Sequence, residues 1–133
     1  MSARTVLLLL FAGGCWGVLA WLLGHKAFGE ELFGGVLMSP LIGLGIGRLT
    51  QGRFENVRGV SRVGISLATL GLAATLFGLV LGVTAWLFLG MPPGAAIAER
   101  VVATWYGVFG TGFVLALWPL AYVTHWLLEA SDA

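Results

Sequence analysis

His125 is the side chain in this sequence best suited to chemistry. It stands in Ala121-Tyr-Val-Thr-His125-Trp126, near the end of an apolar segment. An imidazole there can ligate a metal, shuttle a proton or simply hold a neighbour by hydrogen bonds. The only other histidine, His25, closes the first apolar segment. Four arginines, Arg48, Arg53, Arg58 and Arg62, gather around one polar stretch with a single carboxylate, Glu55, among them. Such a cluster suits contact with anionic lipid headgroups or with an acidic partner. Cys15 is the one cysteine, so no internal disulfide forms, and it reads as a small hydrophobe inside an apolar run. No nucleophile–base pair and no spacing of metal ligands is present, so the sequence reads as a non-enzyme without a metal site.

The spacing of Ala121 and His125 resembles the ligand site of bacterial light-harvesting polypeptides, on those two residues alone. The resemblance implies a bacteriochlorophyll or haem ligated by His125; nothing else in the sequence requires a cofactor. The alternative is an interfacial histidine bonded to a neighbour or to lipid. The size suits four-helix multidrug transporters, but their membrane-embedded glutamate has no counterpart. The polar and phenylalanine motifs of small fluoride channels are likewise missing.

The segments that carry these residues are apolar: 59% of the 133 residues are hydrophobic and 10% are charged. Soluble domains carry about 25% charged residues. So few charges cannot cover a water-facing surface, and no basic solvated face exists for nucleic acid. The chain reads as a single all-α transmembrane domain. Its apolar segments run over about 5–23, 32–49, 63–89 and 100–128, each at or near the length of roughly 20 residues that crosses a bilayer. Short connections predict a four-helix bundle of antiparallel neighbours. The start resembles a signal peptide, with Ala12-Gly-Gly-Cys15 faintly like a lipoprotein box. The apolar run continues to Leu23, which favours a retained first helix.

The arginines orient the bundle. With four spans, Arg4 and the basic stretch 50–62 fall on one side, which the positive-inside rule makes the cytoplasm. Lys26 and Arg100, each beside glutamates, fall on the other. Both termini are then cytoplasmic, and the expected location is a bacterial inner membrane. Trp21, Trp86, Trp105 and Trp126 fall near the interfaces, whereas Trp16 and Trp118 sit deeper.

Residues 34–49, GGVLMSPLIGLGIGRL, test a different chemistry. A dinucleotide loop needs G-x-G-x-x-G after a strand, and here Arg48 stands where the third glycine belongs. The Gly-Lys-Ser/Thr of a P-loop is absent. Read as a helix, Gly35, Ser39, Gly43 and Gly47 form a strip of small residues four apart. Such strips let transmembrane backbones approach closely. Gly13 and Gly17 repeat the pattern in the first segment, and Ala74, Gly78 and Gly82 in the third. Pro40 predicts a kink, with Ser39 placed to bond a freed backbone group. The same residues could instead line a pore.

The expected function is a small non-catalytic accessory or assembly subunit of a larger membrane complex, respiratory or photosynthetic in type. It would contact other membrane subunits and lipid. The alternatives are a small homo-oligomeric channel or transporter, and a pigment- or haem-associated subunit.

Overall fold

The computed structural model describes the backbone of residues 3–28, 31–110 and 112–132, and the side chains of residues 3–22, 36–110 and 112–130. The fold is all-helical over the described residues. The elements are α1 (Ala3–Phe28), α2 (Glu31–Asn56), α3 (Val60–Leu89), α4 (Pro93–Trp105), a π-helical turn (Tyr106–Gly110) and α5 (Val114–Asp132). Two helices, α1 over Ala3–Leu22 and α3 over Val60–Leu89, are long and apolar enough to cross a membrane. The pair α4 and α5 adds a third if it is taken as one broken span.

Several expected boundaries change. The basic stretch 50–62 is mostly helix: α2 runs on to Asn56, α3 begins at Val60, and only Val57–Gly59 connects them. Within the extra turns Gln51 bonds to Glu55 one turn on (2.9 Å), an i, i+4 pair that supports a helix. Arg53 also lies in the last turn, where a cation suits the helix dipole. Gly59, at φ 65°, then turns the chain into α3.

The segment 100–128 is not one helix. It is the end of α4, the π turn and α5, bent by 89° at the break. Gly107, Gly110 and Gly112 lie within six residues and weaken helix propagation. Gly112, at φ 87°, takes a conformation that other residues avoid. Pro93 explains why α4 starts earlier than expected: it occupies the first turn, where its missing N–H costs nothing.

Small residues set two of the helix contacts. A Cβ on Gly43 would stand 2.6 Å from the Gly13 Cα, so α1 and α2 touch backbone to backbone. Gly17 faces Ser39, and Gly47 takes the Leu9 side chain. On α3, a Cβ on Gly78 would stand 2.6 Å from the Val101 Cα, and one on Gly82 2.5 Å from the Ile97 Cα, which seats α4. Both pairs are antiparallel, since higher numbers on one helix meet lower numbers on the other. Pro40 frees the carbonyl four residues back, at Val36, and the Ser39 hydroxyl donates to that oxygen at 2.7 Å. The core between the pairs holds Trp16, Ile42, Ile46, Leu70, Ala74, Phe77 and Leu81.

Candidate functional site

The polar residues converge where α2 ends, α3 begins and α5 ends. His125 is 1% exposed. Its Nδ1 meets the Gln51 Oε1, and its Nε2 lies 3.1 Å from the Thr50 hydroxyl and 3.0 Å from that of Thr69. The Gln51 amide nitrogen donates to Glu55 Oε1 (2.9 Å) and to the His125 carbonyl (3.2 Å). Both amide N–H groups therefore face acceptors, which turns the amide oxygen toward the ring. An amide oxygen only accepts, so the ring proton belongs on Nδ1. In the neutral ring Nε2 is then the acceptor, for a hydroxyl proton from Thr50 or Thr69.

A second layer encloses this knot. Phe54, fully buried, stacks on the imidazole with centroids 5.1 Å apart and planes 22° apart. Tyr122 meets Phe54 edge-on at 5.4 Å. The Arg62 guanidinium lies over Phe54, 4.6 Å from its centroid. Arg62 also donates to Glu129 at 2.7 Å and to the Val57 carbonyl at 2.9 Å. Further along the seam, the Trp118 indole donates to Ser66 at 2.8 Å. These bonds tie α2, α3 and α5 at one end of the molecule.

His125 is also the residue expected to ligate a pigment or haem. Both ring nitrogens are engaged by side chains, so neither is open to a metal. The cavity beside the ring measures about 60 Å³. Sites for cofactor-sized molecules occupy roughly 300–1,000 Å³. The residues present do not fit a haem or a bacteriochlorophyll. Among the described residues, no group of three His, Cys, Asp or Glu is placed to hold a metal.

The other predicted residues divide by place. Ser39, Gly43 and Gly47 meet Gly13, Gly17 and Leu9 within the chain. Their strip packs against α1, and Gly13, Gly43 and Gly47 also border the cavity described below. Ala74 is fully buried in the core, and Gly78 and Gly82 seat α4. The side of the strip at Gly35, and the side chain of His25, lie outside the described residues. The four arginines part company: Arg48, Arg53 and Arg58 are exposed, whereas Arg62 is drawn against Phe54 and Glu129.

Sequence reasoning missed Thr50, Gln51, Phe54 and Thr69. The first three lie in the stretch 50–62, outside the expected apolar segments. A signal was present, because Gly43, Gly47, Thr50 and Phe54 fall at i, i+4, i+7 and i+11, one continuous helical face. Thr69 gave no signal, since threonines in apolar helices commonly bond their own backbone, as Thr75 and Thr84 do here.

The cavity itself runs between α5 and the α1–α2 pair. Leu9, Gly13, Trp16, Ile42, Ile46 and Leu117 form much of its wall, with Thr69 and His125 also on it. Comparison with known proteins finds no matching family, no matching curated protein and no matching solved structure.

Proposed function

We propose that this chain is a small, non-catalytic integral membrane subunit that serves a larger membrane assembly of respiratory or photosynthetic type. The observation that carries the proposal is the mutual satisfaction of the buried polar groups around His125. His125, Gln51, Thr50 and Thr69 bond one another, and so act as a structural tie rather than as a reactive set. Much of the outside is apolar: Leu37, Leu41, Leu72, Leu87 and Leu115 are all exposed. Lipid and other transmembrane helices are the surroundings such faces suit.

In this proposal α1, α2 and α3 each cross the membrane and α4 with α5 forms a fourth, broken crossing. Arg4, Arg48, Arg53 and Arg58 are exposed, and α1 begins where α2 ends because the two helices are antiparallel. That gathering of cations supports a cytoplasmic placement for this end and for both termini, in a bacterial inner membrane. The same arginines suit anionic headgroups or an acidic subunit.

A homo-oligomeric channel or transporter is the second proposal, favoured by the 89° break between α4 and α5. Discontinuous helices at membrane depth often border substrate sites. One experiment separates the two. Purify the tagged protein from its native membrane in mild detergent, then take mass and absorbance spectra of the same sample. Stoichiometric co-purification with other membrane subunits is the expected result. A homo-oligomer without partners would refute the subunit proposal and direct attention to flux assays. Cysteine labelling that placed position 53 outside the cytoplasm would refute the orientation.

A further inference from the structure

Glycine contacts close α1 on α2 and α4 on α3, but α5 meets the α1–α2 pair without one. The cavity of about 60 Å³ lies along that seam, and its wall is almost wholly apolar. One wall residue has an unmet need. Trp16 is 7% exposed, packs edge-on against Phe77 at 4.8 Å, and its indole N–H has no hydrogen-bond partner. Buried donors are nearly always paired, and leaving one unpaired is costly. A water here would need two to four polar partners. The wall is mostly apolar, with residues such as Ile42, Leu70 and Leu117, and its polar side chains, Thr69, Thr124 and His125, are already bonded within the protein. An oxygen carried on an apolar molecule meets both requirements.

We infer that this cavity binds the end of a slender lipophilic molecule bearing a carbonyl oxygen, with the Trp16 indole N–H as its donor. The small volume admits a chain end and excludes a large ring system. Depth selects the source. With α1 crossing the membrane, Trp16 lies eleven residues past Thr5, about 16 Å along the axis. That is about half of a hydrocarbon core roughly 30 Å thick. The ester groups of bilayer lipids sit at the interface, so a membrane-dissolved carbonyl compound is the occupant that reaches this depth.

The test uses the full chain in nanodiscs of ether-linked lipid, which contain no ester carbonyl. With indole-¹⁵N tryptophan, the Trp16 cross-peak is the one lost in Trp16→Phe. Titration with 2-undecanone is expected to move that cross-peak downfield, saturably, and to leave the other five in place. Undecane, which lacks the oxygen, is expected to produce no such shift. Binding of radiolabelled 2-undecanone should weaken about two- to tenfold in Trp16→Phe, the scale of one neutral hydrogen bond. Ala121→Leu, which fills the cavity, should abolish the shift; if that variant does not fold, Ala73→Val makes the same test. An unmoved Trp16 cross-peak, or an equal response to undecane, would overturn the inference. So would a full shift in ester-lipid nanodiscs without added ketone, which would assign the cavity to a bilayer lipid.

Discussion

The face of α2 that runs from Gly43 to Phe54 closes in two different ways. At Gly43 it has no side chain, and the backbone of α1 comes directly against it. At Thr50, Gln51 and Phe54 it presents hydroxyl, amide and ring, and α5 is held by the hydrogen bonds and stacking of His125. Between the two regions lies the cavity. The first contact depends on absence of volume and on dispersion, which falls off within an ångström of misfit. The second depends on pairing of groups that would each be costly alone. One helix face thus carries a steric lock and a polar lock, and they should fail differently.

The largest effect is expected where volume is added to the steric lock. In Gly43→Leu the new Cβ alone meets the Gly13 Cα at 2.6 Å, and the remaining atoms have backbone in their way. Neither helix can yield by rotating a side chain. A loss of about 3 kcal/mol or more is expected, the upper end of overpacking penalties. Thermal unfolding in detergent would read it. A variant as stable as the parent would mean that α1 and α2 do not meet at Gly43, and the comparison would collapse.

This contrast also explains which parts of the fold were legible in the sequence. The steric lock was visible because it is a repeating pattern of residue types: Gly13 and Gly17 on one segment, Ser39, Gly43 and Gly47 on another. The bond from Ser39 to the Val36 carbonyl followed from Pro40 in the same local way. The polar lock was not visible, because it joins positions 74, 75 and 56 residues apart. His125 stood out, but its partners did not, and without them it looked open to a ligand. Reading Thr50–Arg62 as a connection hid Thr50, Gln51 and Phe54, although their spacing continued the glycine face. The broken fourth segment was hidden for another reason. Hydrophobicity runs through Gly107–Gly112 almost without pause, and the break comes from backbone freedom rather than from polarity.

Loss of the polar lock's central group should cost less than the clash at Gly43. His125→Leu leaves the Gln51 oxygen without its donor and removes the surface on which Phe54 stacks. A loss of about 1–3 kcal/mol is expected, the range for orphaning a buried polar group. The end of α5 should also become easier to open, which faster amide exchange around residue 125 would reveal. Uniform exchange along α5 would instead place the weak point elsewhere.

The two threonines sharpen the logic of the lock. Each hydroxyl can supply the proton that Nε2 accepts, so Thr50→Val and Thr69→Val each leave one donor in place. Each single change should therefore cost less than about 1 kcal/mol. The double variant leaves Nε2 without a donor in a buried site, and should lose more than the sum of the two. A double-mutant cycle measures that excess. Strict additivity would show that the hydroxyls serve their own helix backbones, through Ile46 and Ile65, and not the ring.

The smallest effect belongs to Gly45, two residues from the steric lock. A Cβ there meets nothing within 4 Å. Gly45→Ala removes backbone freedom from an unfolded helix segment without any clash, so the isolated chain should gain roughly 0.5–1 kcal/mol or stay unchanged. Gly45→Leu extends the test from folding to function. Its Cβ meets nothing inside the chain, whereas that of Gly43→Leu does. If the chain is a subunit seated against another helix on this side, Gly45→Leu should leave the thermal midpoint of the purified protein in place and lower its recovery with the assembly. Equal recovery would exclude this side of α2 from the subunit contact, and leave the exposed leucines of α3 as the next face to test.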